Sequence, residues 1–226
     1  TQQLKGYQQV LGNAWASGGN LNTARSNLTG AGTQTAALAF AGQTTAPAVS
    51  ALTEQYDGSS WTEVNDLNTA RQNLAGTGTQ TSALAFGGNI PPATNATELW
   101  NGTNWTAVNT LNTARESLAG SGTDNTSALA IGGRTAPGPS TAVTESWNGT
   151  NWTEVNDLNT ARRLLAGAGT ATDALAFGGF TPNTAATESW NGTSWFEVND
   201  LNTARRSLSG AGTSTAALAF GGFPPN

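Results

Sequence analysis

Short runs in which large apolar residues alternate with polar ones recur along the chain, and they predict β-strands. Trp152–Val155 combines large apolar residues with polar ones, which is typical of a short half-buried strand. A run of small residues follows at 164–170, then an apolar run at 174–177 and a Thr-Glu-Ser-Trp run at 187–190. Turn residues separate these runs. The stretch therefore predicts four short strands joined by turns.

This four-strand pattern belongs to a repeat. The pentapeptide Leu-Asn-Thr-Ala-Arg occurs five times without variation, beginning at Leu21, Leu67, Leu111, Leu158 and Leu201. The spacing of ~45 residues is typical of repeated supersecondary units. Passing from Leu201 through the C-terminus and back through the N-terminus to Leu21 covers another such interval, so the two terminal pieces add up to one whole unit. A ring requires this, whereas a linear solenoid needs atypical capping ends.

The turns and the small residues favour one ring-shaped fold over a sandwich. Asn-Gly or Asp-Gly pairs precede the Trp-containing strands and suit a two-residue type I′ hairpin; they lie at Asp57, Asn101, Asn148 and Asn191. The small-residue run suits an innermost strand, because inner strands that crowd one axis leave little room for side chains. We therefore predict an all-β fold over residues 1–226, a single domain. It is a five-bladed β-propeller of four-stranded blades, closed by joining the N- and C-terminal blade fragments.

Each unit also resembles a kelch repeat. A Gly-Gly pair follows an apolar strand, then come a Glu two residues before an aromatic residue, a Trp and the Arg; the pairs begin at Gly87, Gly132, Gly178 and Gly221. The resemblance implies a β-propeller in which each unit forms one blade. The sequence departs from it in Ala41-Gly42 and in the Trp-Asn-Gly stretch that replaces the usual Tyr-Asp-Pro. The units are also similar to repeats in bacteriophage structural and tail proteins. Because kelch activities are diverse, only the fold is carried over.

Composition excludes several functions. The chain has 226 residues, no His and no Cys, so a Ser-His-Asp triad, a Cys nucleophile and a zinc or iron–sulfur site lack their groups. The net charge is −5 and no Lys/Arg run exists, so we expect no nucleic-acid partner. No apolar run approaches the ~18 residues of a membrane span, so we expect no membrane insertion. We expect neither metal nor cofactor.

Other features of composition bear on location and catalysis. Charged residues make up only 10% of the chain, and the Thr, Asn, Ser and Gly that replace them favour an extracellular or virion-surface location. The start at Thr1 lacks an initiator Met and a signal-peptide pattern, as expected of a mature or excised piece. Four acids lie outside the repeated acidic positions, namely Asp57, Glu116, Asp124 and Asp173. No motif links them, so we predict that the protein is not an enzyme.

The repeated charged and aromatic residues are predicted to be structural. The tryptophans that open the outer strands, with their aromatic partners, are interpreted as packing between blades in preference to sugar-stacking platforms; they are Trp15, Trp61, Trp105, Trp152 and Trp195. The repeated arginines are Arg25, Arg71, Arg115, Arg162 and Arg205. They recur with Glu54, Glu98, Glu145 and Glu188, which favours charge pairs over an anion-binding ring. Gln8 stands where the fifth Glu is expected, so one Arg is predicted to lack its partner.

The candidate binding residues lie where the units differ. The loops between second and third strands vary in length and content, and we expect them to share a face with the pentapeptide turns. Arg134 and Phe180 are the singular residues there. The repeated polar ones are Asn22, Asn68, Asn112, Asn159 and Asn202, for which a turn-forming role is the alternative.

These loops lead to a functional hypothesis with open alternatives. Because charge is low, neutral hydrogen-bonding ligands such as glycans are favoured. We predict a non-enzymatic recognition or adhesion module, lectin-like, on a virion or cell surface. The first alternative is a purely structural particle component whose loops contact a neighbouring protein. An engineered consensus repeat is disfavoured by the unequal loops.

Overall fold

The computed structural model describes residues 18–45 and 48–225, and these form an all-β structure. Gln8 and Trp15 lie outside the described residues. The innermost strands are β1 Thr29–Thr33, β5 Ala75–Thr79, β9 Ala119–Gly122, β13 Ala166–Gly169 and β17 Arg206–Gly212. The second strands are β2 Ala36–Phe40, β6 Ser82–Phe86, β10 Ala128–Ile131, β14 Ala174–Phe177 and β18 Ala217–Phe223. The third strands are β3 Thr53–Tyr56, β7 Thr97–Trp100, β11 Thr144–Trp147 and β15 Thr187–Trp190. The outer strands are β4 Trp61–Val64, β8 Trp105–Val108, β12 Trp152–Val155 and β16 Trp195–Val198.

These strands form the blades of a β-propeller. Four antiparallel sheets of four strands, each running from inner to outer strand in chain order, make blade 1 (β1–β4), blade 2 (β5–β8), blade 3 (β9–β12) and blade 4 (β13–β16). A two-stranded sheet, β17–β18, follows and packs its β17 against β13. The predicted propeller of four-stranded blades is therefore confirmed. The predicted fifth blade is represented among the described residues by β17 and β18 only.

Glycine on the inner strands admits the aromatic residue of the preceding blade. A Cβ added to Gly76 on β5 would lie 2.5 Å from the ring of Phe40, which belongs to β2 of blade 1. Gly120 faces Phe86 in the same way, and Gly210 faces Phe177. Any side chain at these positions would displace a buried ring, so glycine is required by close approach. This explains the small-residue run in each unit.

The hydrophobic core lies between neighbouring blades. The Phe40 ring of blade 1 lies 4.9 Å from Trp105 of blade 2, and Phe86 of blade 2 lies 4.9 Å from Trp152 of blade 3. Each of these tryptophans also donates its indole N–H to a threonine of the preceding blade: Trp152 Nε1 to Thr97 Oγ1 is 3.0 Å. The apolar side chains of one blade are therefore buried only when the next blade packs against them, and we call this interface between neighbouring blades a joint.

Hydrogen bonds between backbones connect consecutive units around the axis. Asn73 N donates to Asn27 O at 3.0 Å, and the same bond joins each following pair of units: Ser117 to Asn73, Leu164 to Ser117 and Ser207 to Leu164. These residues have φ of 53° to 55°, a left-handed conformation that costs ~1–2 kcal/mol per residue and is offset by the bond it permits. Between Asn27 N and Ser207 O, both described, no such bond forms. The described residues therefore leave an opening between β17 and β1.

Side chains next to this opening are more exposed than their repeats. Leu218 on β18 is 53% exposed, whereas Leu84 and Leu129 are fully buried at the equivalent positions. A Cβ added to Gly132 would lie 2.7 Å from Arg162 O of the next blade, while a Cβ on Gly221 meets nothing within 4 Å among the described residues. The β18 sheet therefore lacks the neighbouring blade that every other described sheet has.

Candidate binding face

One end of the propeller gathers the crossovers between blades and the loops between second and third strands. The amide of Arg71, in the crossover from blade 1 to blade 2, donates to Ser50 O in the β2–β3 loop at 3.2 Å. Arg115 donates to Thr94 O in the next unit at 3.3 Å, and Arg162 to Thr141 O at 3.2 Å. Both kinds of segment therefore share one face, as expected from the sequence. We call it the loop face.

The loop face is built from one repeated pair of positions. The residue after each pentapeptide forms an isolated β-bridge with the residue after the Gly-Gly pair, and the pairs are Ser26–Gln43, Gln72–Asn89, Glu116–Arg134 and Arg163–Phe180. In the fifth sheet Arg206 pairs with Phe223 in register. The first two pairs are neutral and polar, whereas the next three carry charge or an aromatic ring. The backbone pairing is therefore the same in every unit, whereas the side chains at the paired positions differ from unit to unit.

Arg134, one of the two singular residues predicted from sequence, is tied to an acid. Its Nε donates to Glu116 Oε1 at 2.6 Å, and its Nη2 lies 2.5 Å from the same oxygen. Glu116 is buried, while the Arg134 side chain is 40% exposed. This pair leaves Arg134 partly accessible on the loop face.

Phe180, the second singular residue, is in contact with two arginines from neighbouring units. The guanidinium carbon of Arg163 is 4.7 Å from the ring centroid and that of Arg206 is 5.3 Å from it. Arg163 Nη1 donates to Ser140 Oγ at 3.3 Å, and Arg206 Nη1 donates to Asn183 Oδ1 at 2.8 Å. The ring and these neutral acceptors hold both cations in place.

Neither of these two cations has a carboxylate partner within the described part of the chain. Burial lowers the pKa of Arg163; the positive charge of Arg134 lowers it further, Glu116 opposes this, and Arg206 adds to the lowering. Glu116 is already bound to Arg134. A local excess of positive charge therefore exists on an otherwise acidic chain.

A cavity of about 270 Å³ adjoins this cluster. Arg206, Phe180 and Asn183 line it together with Pro182, Pro224 and Pro225. It combines one cation, one amide and an apolar wall. A second cavity, of about 810 Å³, lies at the axis, where residues of β1, β5, β9, β13 and β17 line it with small and apolar side chains.

Sequence reasoning selected Arg134 and Phe180 but missed Arg163 and Arg206. A signal for both was present. The doublets Arg162-Arg163 and Arg205-Arg206 break the repeat at the position where the earlier units have Ser26, Gln72 and Glu116. All three described basic residues that the repeat does not require, Arg134, Arg163 and Arg206, lie on the loop face.

The repeated arginines are buried beneath this face and bound to repeated glutamates. Arg115 Nη2 lies 2.9 Å from Glu145 Oε1, and Arg115 Nη1 donates to the carbonyls of Gly132 and Val143 at 2.7 Å. Desolvation lowers the pKa of Arg115, and Glu145 opposes this. Equivalent pairs are Arg25–Glu54, Arg71–Glu98 and Arg162–Glu188. Arg205 donates to Gly221 O at 2.9 Å and has no glutamate partner among the described residues.

All five repeated asparagines are exposed, and four of them hydrogen-bond to a glutamate of the protein. Asn112 donates its backbone N–H and its Nδ2 to Glu145 Oε2, at 2.7 and 2.9 Å, and its Nδ2 also reaches Trp152 O at 3.2 Å. Asn22, Asn68 and Asn159 repeat this arrangement with Glu54, Glu98 and Glu188. The side chain thus anchors the crossover to a glutamate and a neighbouring strand, not to its own backbone. Asn202 is exposed.

The repeated tryptophans are placed in the joints. Trp105, Trp152 and Trp195 are each 5% exposed, and Trp61, beside the opening, is partly exposed. The cross-strand pairs are Tyr56–Trp61, Trp100–Trp105, Trp147–Trp152 and Trp190–Trp195, with centroids 4.9 to 5.4 Å apart. The three buried outer-strand tryptophans offer no free face for stacking on a sugar.

The acids outside the repeat do not converge. Asp57 accepts the amides of Ser59 and Ser60 at 2.8 Å, and these bonds lower the pKa of its carboxyl group. Asp124 accepts from Thr126, whose bonds lower its pKa likewise. Across residues 18–45 and 48–225, no three acidic, His or Cys side chains group as a metal site would. That the protein is not an enzyme stays a prediction.

No protein-family model matches the chain, and a search of curated proteins finds no significant match. In the part of the chain that the structure describes, there is no helix of the length and apolarity needed to cross a membrane.

Proposed function

We propose that the protein is a non-enzymatic recognition or adhesion module, glycan-binding and displayed on a virion or other extracellular surface. The observation that carries the proposal is the division of the chain into constant and varying positions. The joints between blades repeat with little change, whereas the bridged pairs on the loop face differ from unit to unit. Rigid scaffolds with varying loops are a common design of binding surfaces.

A purely structural role in a particle is the second candidate. Phe196 on the outer strand β16 is 53% exposed and stands where the other outer strands have Thr62, Thr106 and Thr153. Val198, two residues further, is 43% exposed. An exposed apolar pair on an outer strand suits contact with a neighbouring protein.

We further propose that the ring closes as a five-bladed propeller by joining the N- and C-terminal blade fragments, the latter being β17 and β18. Four of the five inter-unit bonds that a closed ring needs are present, and the fifth would join Asn27 to Ser207. The kelch-like motifs in every unit support the same arrangement. The relationship to kelch repeats and to phage tail repeats rests on these motifs alone.

Substituting Leu218 with alanine tests the closure. In a closed ring Leu218 is as buried as Leu129, so we expect Leu218→Ala and Leu129→Ala each to lower the free energy of unfolding by about 2–3 kcal/mol. Urea unfolding of the full chain followed by tryptophan fluorescence measures both. If Leu218→Ala changes stability by less than about 0.5 kcal/mol while Leu129→Ala is costly, the side chain is exposed in solution and the ring is open.

A glycan array tests the recognition function. The full chain, labelled so that multivalent display is preserved, should bind one class of glycans reproducibly, since repeated weak contacts add in strength. Phe196→Ala serves as the control, because it alters the outer strand and not the loop face. If no glycan on the array is bound, the recognition function is contradicted and the structural role is favoured. In that role Phe196→Ala should weaken association of the chain with its neighbouring protein.

A further inference from the structure

The arginine cluster on the loop face specifies the kind of glycan. We propose that Arg163 and Arg206, with the adjoining cavity, bind a saccharide that carries a carboxylate or sulfate group. The inference rests on the proposed glycan recognition and deepens it. The low overall charge of the chain favours neutral ligands. The proposed ligand is nevertheless anionic, because Arg163 and Arg206 create a local positive charge.

The first step concerns how the cations are placed. Arg163 and Arg206 both lie over the Phe180 ring, at 4.7 and 5.3 Å, and come from adjacent units. Like charges this close repel each other, and within the described residues no carboxylate pairs with either. By contrast, four repeated arginines have a glutamate. An anion bound at this cluster would supply the missing countercharge and accept charge-assisted hydrogen bonds.

The second step concerns the shape beside the cations. The cavity of about 270 Å³ is lined by Arg206, Asn183, Phe180 and three prolines. One sugar ring has an apolar face, hydroxyl groups at its rim and, in an acidic saccharide, one anionic substituent. The proline wall suits the apolar face, the Asn183 amide suits a hydroxyl group, and Arg206 suits the anion.

The third step concerns the rest of the face. Units 1 and 2 have neutral pairs at the same positions, Ser26–Gln43 and Gln72–Asn89. In unit 3 the charge of Glu116 is paired with Arg134, so Glu116 does not serve as the partner of Arg163. The anion site is therefore confined to one sector, so one acidic residue of a longer glycan would occupy it.

Matched saccharides test the proposal. We would measure binding of 3′-sialyllactose, 3′-sulfolactose and lactose to the full chain by calorimetry and by competition on the array. We expect the two acidic saccharides to bind at least ten-fold more tightly than lactose, with affinity falling as salt rises. Arg206→Gln and Arg163→Gln should each lose that ten-fold preference while the thermal midpoint stays unchanged. Gln72→Ala, at the equivalent position of unit 2, should retain it.

The possible failures are distinguishable. Equal binding of lactose and its acidic derivatives, or a preference that survives both arginine substitutions, overturns the anion site and leaves glycan recognition standing. No binding of any saccharide overturns both. Tight binding of a poly-glutamate peptide in place of all saccharides also overturns the proposal, because charge alone would then suffice without the sugar-sized cavity.

Discussion

Replacing Arg115 with methionine should lower the free energy of unfolding by about 3–5 kcal/mol. Arg115 and Glu145 are both fully buried and in contact, so removing the guanidinium leaves a buried carboxylate without its countercharge. The same substitution removes the bonds to the carbonyls of Gly132 and Val143. Asn112, in the crossover into blade 3, donates to the other oxygen of this carboxylate, so any shift of Glu145 would also disturb the crossover. Chemical unfolding of the purified variant measures the loss.

Arg205→Met is the matched control for this prediction. Arg205 occupies the same position of the repeat but has no glutamate partner within the described residues. In the sequence, Gln8 stands where the fifth repeated glutamate is expected. No buried carboxylate is stranded by its removal, so we expect a loss of about 1 kcal/mol. Equal losses for the two variants would show that the carbonyl contacts, and not the ion pair, stabilise the crossover.

Replacing Trp152 with alanine should also cost about 3–5 kcal/mol. The indole is 5% exposed and lies 4.9 Å from Phe86 of blade 2 and 5.4 Å from Trp147 of its own blade. Its removal leaves a cavity in the joint between blades 2 and 3, where neither blade alone can fill the space. With ~2–4 °C per kcal/mol at this chain length, the thermal midpoint should fall by roughly 10 °C.

Two variants separate the contributions at this joint. Trp152→Phe keeps a ring but loses the bond to Thr97, so a loss of about 1–2 kcal/mol is expected. Phe196→Ala removes a ring of similar size that is 53% exposed, so its effect should stay within about 0.5 kcal/mol. If Trp152→Ala were as mild as Phe196→Ala, the joints between blades could not be the main source of stability.

Much of the fold could be predicted because the local signals repeat. Asn148-Gly149 before Trp152 predicts a hairpin, and the structure has one there with Gly149 at a φ of 89°. The predicted two-residue type I′ turn is wrong, because four residues, 148–151, separate the paired Trp147 and Trp152, and Asn148 does not have a positive φ. Its Oδ1 instead accepts the amides of Thr150 and Asn151 and closes the longer turn. The strand alternation and the small-residue run are likewise local properties, and five copies make each easier to recognise. The number of complete blades was not accessible in the same way, because closure depends on contacts between residues far apart in sequence.

The candidate site could be predicted only in part. Arg134 and Phe180 stood out because they are unlike their repeats. Arg163 and Arg206 each follow a repeated arginine directly, so they were not recognised as departures from the repeat. No feature of the neighbouring sequence indicates that both lie over the Phe180 ring. The asparagines show the converse. Their repetition suggested a ligand or a turn, whereas the structure binds them to glutamates about thirty residues away.

The sequence by itself determined that the chain builds repeated four-stranded units with small inner strands, since strand period, turn residues and composition act over a few neighbouring residues. Only the tertiary structure decided which aromatic residue packs against which blade, that glutamates organise the crossovers, and that two arginines without acids meet on one ring. These outcomes depend on how neighbouring units approach each other around the axis. Burial and desolvation act through that spatial arrangement, so four Leu-Asn-Thr-Ala-Arg segments bind a glutamate in the same way, whereas the one at Leu201 has none among the described residues.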